Sequence, residues 1–420
     1  MPSPDRSSPL SGSTASGART LPWRSGSYCP PPLASRAFPG LDTGTAPQTN
    51  LEAPATSFVG REIDIEALDG FLFGPTAATL VTITGGPGIG KTRLAREFAL
   101  SRIDRFAGGC WFIDLGEVTD LAGIAHAVSR ALGAPLSPRL DPAEAVADIL
   151  ECREPLLLVL DNFEQVVAAA EETIGLWRSR APHLRCLVTS RVRLHLAGEQ
   201  SCELTPLSVP PARGDRPVMP DQLSSYDSVR LFVDRARLVR RDFRIEASNA
   251  AAIAELCAAV DGLPLAIELA TARLSILSPR QIADRLTEKF EILSTTEKGR
   301  HPRHQTLLAA IEWSFELLTG AEQQAFLQAC TFRGGFSLEA ALAVIDLSAI
   351  DGAPPAIDVV QSLCEKSLIH SFETPHEMRF GLYLGDASAM RDYGNSGPRN
   401  FLPGKEEWKK RKRDGHAAKA

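Results

Sequence analysis

Between Leu51 and about residue 224, short apolar runs rich in β-formers alternate with longer segments whose apolar residues recur every three or four positions. The runs "LVTIT" (80–84), "CWFIDL" (110–115), "LLLVL" (156–160) and "CLVTS" (186–190) predict strands. Helices are predicted between them. Asp120 precedes one with Leu121, Ile124, Val128 and Leu132 on a single face. In "DPAE" (141–144) an aspartate can cap a second helix, with proline at its first position and an acid at its third. Apolar strands alternating with helices imply an α/β fold, a parallel sheet covered on both faces.

Past about residue 225 the pattern becomes helical. "SVRLFVDRARLV" and "AAIAELCAAV" carry apolar spacings of three and four, and Ser278 with Gln281 forms a capping box around Pro279. Thr319 and Glu322 repeat that signal in a segment that ends with the strand-like "SLIHSF" (367–372). No repeat of solenoid period is present. Residues 1–50 are rich in Pro, Ser, Gly and Ala and poor in large apolar side chains, which predicts a disordered lead.

Composition bounds the chemistry. At 420 residues, 44% hydrophobic and 23% charged, the chain has material for two or three domains. Its 45 basic and 51 acidic residues leave a formal charge of −6, with no global field for nucleic acid or an anionic membrane. Direct nucleic-acid binding is therefore not expected. The eight cysteines (29, 110, 152, 186, 202, 257, 330, 364) lack CxxC spacing and read as free, mostly buried thiols of a reducing compartment. His301 and His304 lie three apart without a Cys or carboxylate cluster, so no metal site is read there. No apolar run approaches the ~20 residues that span a bilayer, and the N-terminus lacks the apolar region of a signal peptide. A cytoplasmic location is the expectation.

The stretch Gly85-Gly86-Pro87-Gly88-Ile89-Gly90-Lys91-Thr92 matches GxxxxGK[ST] and lies between a strand and a helix, where a phosphate-binding loop must lie. Bare glycines let successive backbone N–H groups turn toward phosphate oxygens, and the helix N-terminus adds partial positive charge. Lys91 is expected to reach the β- and γ-phosphates and Thr92 to ligate Mg²⁺. Arg93, next in the helix, completes the expected nucleotide contacts. Asp161 closes the apolar strand "LLLVL", where a carboxylate can hold Mg²⁺ or, alternatively, cap the next helix. Many P-loop ATPases place a second acid directly after this aspartate. Here Asn162 follows and the nearest acid is Glu164, so slow hydrolysis is expected, asparagine being a poor proton acceptor.

Six motifs in order, "SFVGRE" (57–62), the P-loop, "LLVLDNFEQV", "LVTSR" (187–191), "GLPLAIELA" (262–270) and "AAIEWSFELLTGAEQQAF" (309–326), make the chain resemble STAND-type signalling ATPases. These are AAA+-related P-loop NTPases that include the NB-ARC proteins, and the resemblance is to the ATPase core of large bacterial regulators over about residues 55–380. It implies a P-loop NTPase domain of three layers around a parallel sheet (51–224), a helical lid (225–300) and a winged-helix-like domain (301–380); the basic tail (381–420), with little apolar periodicity, is expected from its composition to be disordered. It further implies that Val59 and Arg61 pack near adenine and ribose, that Arg191 senses the γ-phosphate, and that Pro264 presses on the adenine. From the residues alone, Val59 and Arg61 equally suit a turn leading into a helix, Arg191 a solvated strand end, and Pro264 an ordinary first helical position.

The function so implied is an ATP/ADP-binding, Mg²⁺-dependent switch in signal transduction or transcriptional regulation. Asp161, Asn162, Glu164 and Arg191 would carry a weak ATPase activity, with protein partners or self-association on activation. A non-cycling nucleotide-bound scaffold and a P-loop metabolic enzyme are the alternatives. The segment from Leu382 departs from the family pattern, which is read as truncation or frameshift of a longer gene, and "KKRKR" (409–413) as a solvated charge run.

Overall fold

Five short strands, β1 (Leu80–Thr84), β2 (Cys110–Asp114), β3 (Leu157–Asp161), β4 (Arg185–Thr189) and β5 (Glu199–Glu203), form one parallel sheet in the order β2-β3-β4-β1-β5. The structure is a computed structural model. It describes residues 48–382 except 137–138, 212–219, 289–314, 316–317, 333–334, 367 and 375–376. β1 and β3 are buried along their whole length, β3 as an apolar run closed by Asp161 and β1 with Thr82 and Thr84 buried among its apolar residues. The four expected strands are observed within one residue of their expected bounds. β5, "EQSCE", lies at the sheet edge with only Glu199 and Cys202 buried, so its pattern is too polar to announce a strand.

Two apolar layers sandwich the sheet. Helices α1 (Glu62–Phe73) and α2 (Lys91–Ser101) pack Leu68, Leu72, Leu94 and Phe98 against Val81, Ile83 and Val159. On the other face α3 (Leu121–Leu132), α4 (Pro142–Glu151) and α5 (Leu176–Arg180) bring Ile124, Val128, Val146 and Trp177 against Leu158, Leu160 and Val188. Asp120 caps α3 by accepting from Gly123 N at 2.7 Å, and Asp141 caps α4 by accepting from Ala143 N at 2.9 Å, as their sequences suggest.

The edge beyond β2 corrects one boundary. Residues 1–47 lie outside the described residues, but Gln48, Thr49 and Asn50, assigned by composition to the lead, pair with β2. Thr49 bridges Cys110, and the Asn50 side chain exchanges two 2.7 Å hydrogen bonds with the backbone of Phe112. A single amide side chain thereby satisfies an edge N–H and C=O that would otherwise need water.

After the sheet comes α6 (Pro220–Leu223), then a helical layer of α7 (Asp227–Val239), α8 (Ala250–Ala259), α9 (Pro264–Ala272) and α10 (Pro279–Glu288). The Ser278–Gln281 capping box is formed in both directions, at 3.0 and 3.3 Å. The core of this layer, with Phe232, Ile253, Leu256 and Ile267, is continuous with the α1/α2 side of the sheet. The chain continues with α11 (Gly320–Ala329), β6 (Phe336–Ser337), α12 (Leu338–Val344), α13 (Ala356–Glu365), β7 (His370–Glu373) and β8 (Met378–Gly381); the three strands make an antiparallel sheet in the order β6-β8-β7. Thr319 and Glu322 form the expected capping box. The strand expected over 367–372 begins later, at His370, because the N–H groups of Leu368 and Ile369 donate to Leu363 O at the end of α13. His301, His304 and the tail from residue 383 lie outside the described residues. Among the described residues no helix is long and apolar enough to cross a membrane.

Candidate functional site

β1 ends at Thr84 and α2 begins at Lys91, so Gly85–Gly90 form a turn at the carboxyl edge of the sheet. Two glycines there are required by space as well as by backbone angle. Gly88 has φ 72°, and a Cβ on it would lie 3.0 Å from Leu265 Cβ; a Cβ on Gly85 would lie 2.9 Å from Leu204 O. Ile89 anchors the loop with a fully buried side chain, whereas Pro87 is half-buried. The Lys91 ammonium folds back and donates to Gly85 O at 2.8 Å and Gly86 O at 3.0 Å. The loop thus has a cation at its centre and a helix N-terminus beneath it, the arrangement that suits a polyphosphate.

Asp161, at the end of β3, is 2% exposed. Its carboxylate accepts from Thr92 Oγ1 at 2.8 and 3.0 Å, from the Thr189 hydroxyl, and from Asn162 Nδ2 at 3.0 Å. Burial pushes its pKa up to about 6; the Thr189 and Thr92 hydroxyls pull it down, and nearby Asp114 and Glu164 push it further up. No side chain caps the next element, the turn Phe163–Gln165, so the alternative reading of Asp161 as a helix cap does not apply. Thr92 and Asp161 together offer a hydroxyl and a carboxylate, a hard oxygen set that fits a magnesium ion held jointly with substrate phosphates. The glycine cradle, which Cβ atoms would obstruct, fits the phosphates themselves.

Asn162 adopts the left-handed conformation (φ 62°), its N–H donates to Thr189 Oγ1 at 3.1 Å, and its side-chain amide donates to Asp114 Oδ1 at 2.9 Å. Asp114 was not singled out by the sequence. Its only signal was its place as the last residue of β2, where the parallel register sets it opposite Asp161. Glu164 and Arg191 meet in a buried ion pair, Nε to Oε1 at 3.3 Å, with side chains 7% and 6% exposed. Arg191 follows β4 as expected, yet it is no solvated strand end.

The remaining expected residues surround the loop. Arg61 (φ 72°) donates to Thr205 O at 2.6 Å and to Ile89 O at 3.0 Å, and it pairs with Asp64 at 3.2 Å, so its guanidinium braces the loop backbone. Arg93 donates to Thr56 O and stacks over Phe58, tying the segment before α1 to α2. Val59 lines an open cleft of about 500 Å³ with Val229, Val233 and Asp234 of α7; none of Gly85–Thr92 lines it. Pro264 occupies the first position of α9, and the next residue joins the two units: Leu265 N donates to Gly88 O at 3.2 Å.

Residues 76–204 match the AAA domain family. An uncharacterized protein of Mycobacterium tuberculosis is 36% identical over 289 residues, covering 69% of this chain and 69% of the relative. The chain belongs to the AAA+-related P-loop NTPases. A second relative of this NTPase in that organism, named "Putative HTH-type transcriptional regulator", is 35% identical over 303 residues, or 72% of this chain; the chain spans 32% of that longer protein. Similar solved structures include a Signal Transduction ATPase with Numerous Domains (STAND) protein with a tetratricopeptide repeat sensor from Pyrococcus horikoshii. It is 17% identical, with TM-score 0.33, covering 81% of this chain and 43% of that one. Another is the Cdc6p protein of Pyrobaculum aerophilum, 18% identical, with TM-score 0.35, covering 80% of this chain and 94% of that one. Both superpositions are loose.

Proposed function

We propose that the chain is an ATP/ADP-operated switch of the STAND type, Mg²⁺-dependent and slow to hydrolyse, acting in signalling or transcriptional regulation. The observation that carries this reading is the hydrogen bond from Leu265 N to Gly88 O, which fastens the helical layer directly to the phosphate loop. A ligand entering Gly85–Thr92 must act on that contact, and a nucleotide moves a conformational equilibrium only through such differential contacts. Lys91 would trade its two loop carbonyls for the β- and γ-phosphates. Thr92 and Asp161 would hold the metal. Arg191, already buried beside the site, would exchange Glu164 for the γ-phosphate and so report its presence. Val59 and Pro264 would flank the base, and Arg61 and Arg93 would act by bracing.

In this reading residues 51–224 are the nucleotide domain, 225–300 the lid, and 301–380 a winged-helix-like unit. The order helix, strand, helix, helix and hairpin over 320–381 supports the last of these. The name of the longer relative, an HTH-type transcriptional regulator, supports transcriptional control as the output. Partners would be proteins or further copies of the chain, in the cytoplasm, and not nucleic acid directly.

Denaturing the purified chain and chromatographing what is released tests the reading. Tightly held ADP supports the switch, and absence of nucleotide favours a metabolic enzyme. Lys91→Ala removes a charge-assisted contact worth on the order of 1.5–3 kcal/mol, so ATP affinity measured by calorimetric titration should fall by roughly 10- to 150-fold. Wild-type affinity in that variant would exclude the P-loop as the binding site.

A further inference from the structure

A carboxylate that orients the attacking water must be able to reach it, and among the described carboxylates where β2 and β3 end are Asp161, Glu164 and Asp114. Asp161 is 2% exposed, with both oxygens engaged by Thr92. Glu164 is buried against Arg191. Asp114 differs from both, being solvent-exposed at the end of β2 and opposite Asp161 in the register. That places it one strand spacing, about 4.8 Å, further from the phosphate loop than the metal aspartate.

Asp114 is also held firmly. Its Oδ1 accepts from Asn162 Nδ2 at 2.9 Å and from Gly116 N at 2.9 Å, while Oδ2 takes no hydrogen bond from the described residues. The segment is tied to the β3 end at two more points, Leu115 N to Asp161 O at 2.9 Å and Gln165 Nε2 to Gly116 O at 2.9 Å. One oxygen is thereby fixed by two donors and the other left available, which is the geometry a water-orienting carboxylate requires. Asn162 stands where a second acid is common in P-loop ATPases, and it holds an acid contributed by the neighbouring strand.

Resting on the nucleotide-switch reading, we propose that Asp114 is the catalytic residue that orients the attacking water and takes its proton, with Asn162 as its positioning residue. The water oxygen bonds to the γ-phosphorus as the bond from that phosphorus to the β,γ-bridging oxygen breaks. The electron pair leaves on ADP, and the water proton passes to the Asp114 carboxylate. Because this acid comes from the next strand rather than from the chain position after Asp161, turnover stays slow.

The full-length chain with MgATP, followed in single-turnover hydrolysis and in parallel ATP titrations, tests this. Asp114→Asn should lower the hydrolysis rate constant by about 100-fold or more while ATP affinity stays within about threefold of wild type. Asp114→Ser, assayed alongside, should do the same, so that a folding defect peculiar to one variant does not decide the outcome. Asn162→Ala should lower the rate with the affinity unchanged, which a merely structural residue would not do. A rate within about threefold of wild type in the Asp114 variants would overturn the proposal, as would a wild-type chain that binds ATP and never hydrolyses it. In the first case the switch reading survives; in the second nucleotide binding stands and the non-cycling scaffold replaces the switch. Absence of ATP binding by the wild-type chain would instead refute that reading and the proposal with it.

Discussion

The buried pair Arg191–Glu164 can be tested without any nucleotide. Removing Arg191 leaves an uncompensated carboxylate in a site where its side chain is 7% exposed. Breaking such a pair costs about 3–5 kcal/mol, and the long 3.3 Å separation between Nε and Oε1 places this one at the lower end, about 3 kcal/mol. For a unit of 150–250 residues each kcal/mol shifts the melting temperature by about 2–4 °C, so Arg191→Met should melt roughly 6–12 °C below wild type. Glu164→Leu, which strands the guanidinium instead, should fall by a similar amount. The double variant replaces both charges by apolar groups in a dry site and should recover most of the loss, because neither ion then has to be desolvated. Melting of all four proteins by circular dichroism closes the cycle. If the double variant loses the sum of the two singles, the residues are not coupled, and Arg191 is not being held in reserve by Glu164.

Two other perturbations address the loop and its aspartate. Burial holds the Asp161 pKa near 6 against an ordinary 3.8, so the folded chain binds that proton more tightly than the unfolded one. The contribution of this group to stability is greatest below about pH 4, falls as pH rises to about 6, and is level above that. Asp161→Asn should therefore raise the melting temperature of the metal-free chain more at pH 7.5 than at pH 5, and an equal change at the two pH values would refute the buried carboxylate as the cause. Gly88→Ala combines φ 72° with a 3.0 Å approach to Leu265 Cβ and should cost about 1–2 kcal/mol in denaturant unfolding. Wild-type stability in that variant would show that the loop does not press on α9.

Much of the molecule is written in short-range pattern. The strands β1 to β4 are short, mostly buried runs rich in β-formers, β3 being apolar up to Asp161, and the caps at Asp120, Asp141, Ser278 and Thr319 are local hydrogen bonds between residues two or three apart. The glycine loop is legible for the same reason, since a backbone that must bend tightly and remain bare leaves few choices of residue. The positions of Gly85 to Thr92 between a strand and a helix, and of Asp161 at a strand end, are therefore legible in the sequence.

Tertiary structure decided the rest, through groups far apart in the chain. β5 is polar and takes its identity from pairing with β1. Asn50 looks like part of a featureless lead until it meets the edge of β2. Arg191 reads as a strand-end cation, yet it is buried because Glu164, 27 residues earlier, turns to meet it. Asp114 and Asn162 lie 48 residues apart, and only the parallel register of β2 on β3 makes them neighbours. Periodicity records which face of an element is covered. Which polar side chain meets which depends on strand order and register, and those follow from how the whole sheet buries its apolar faces.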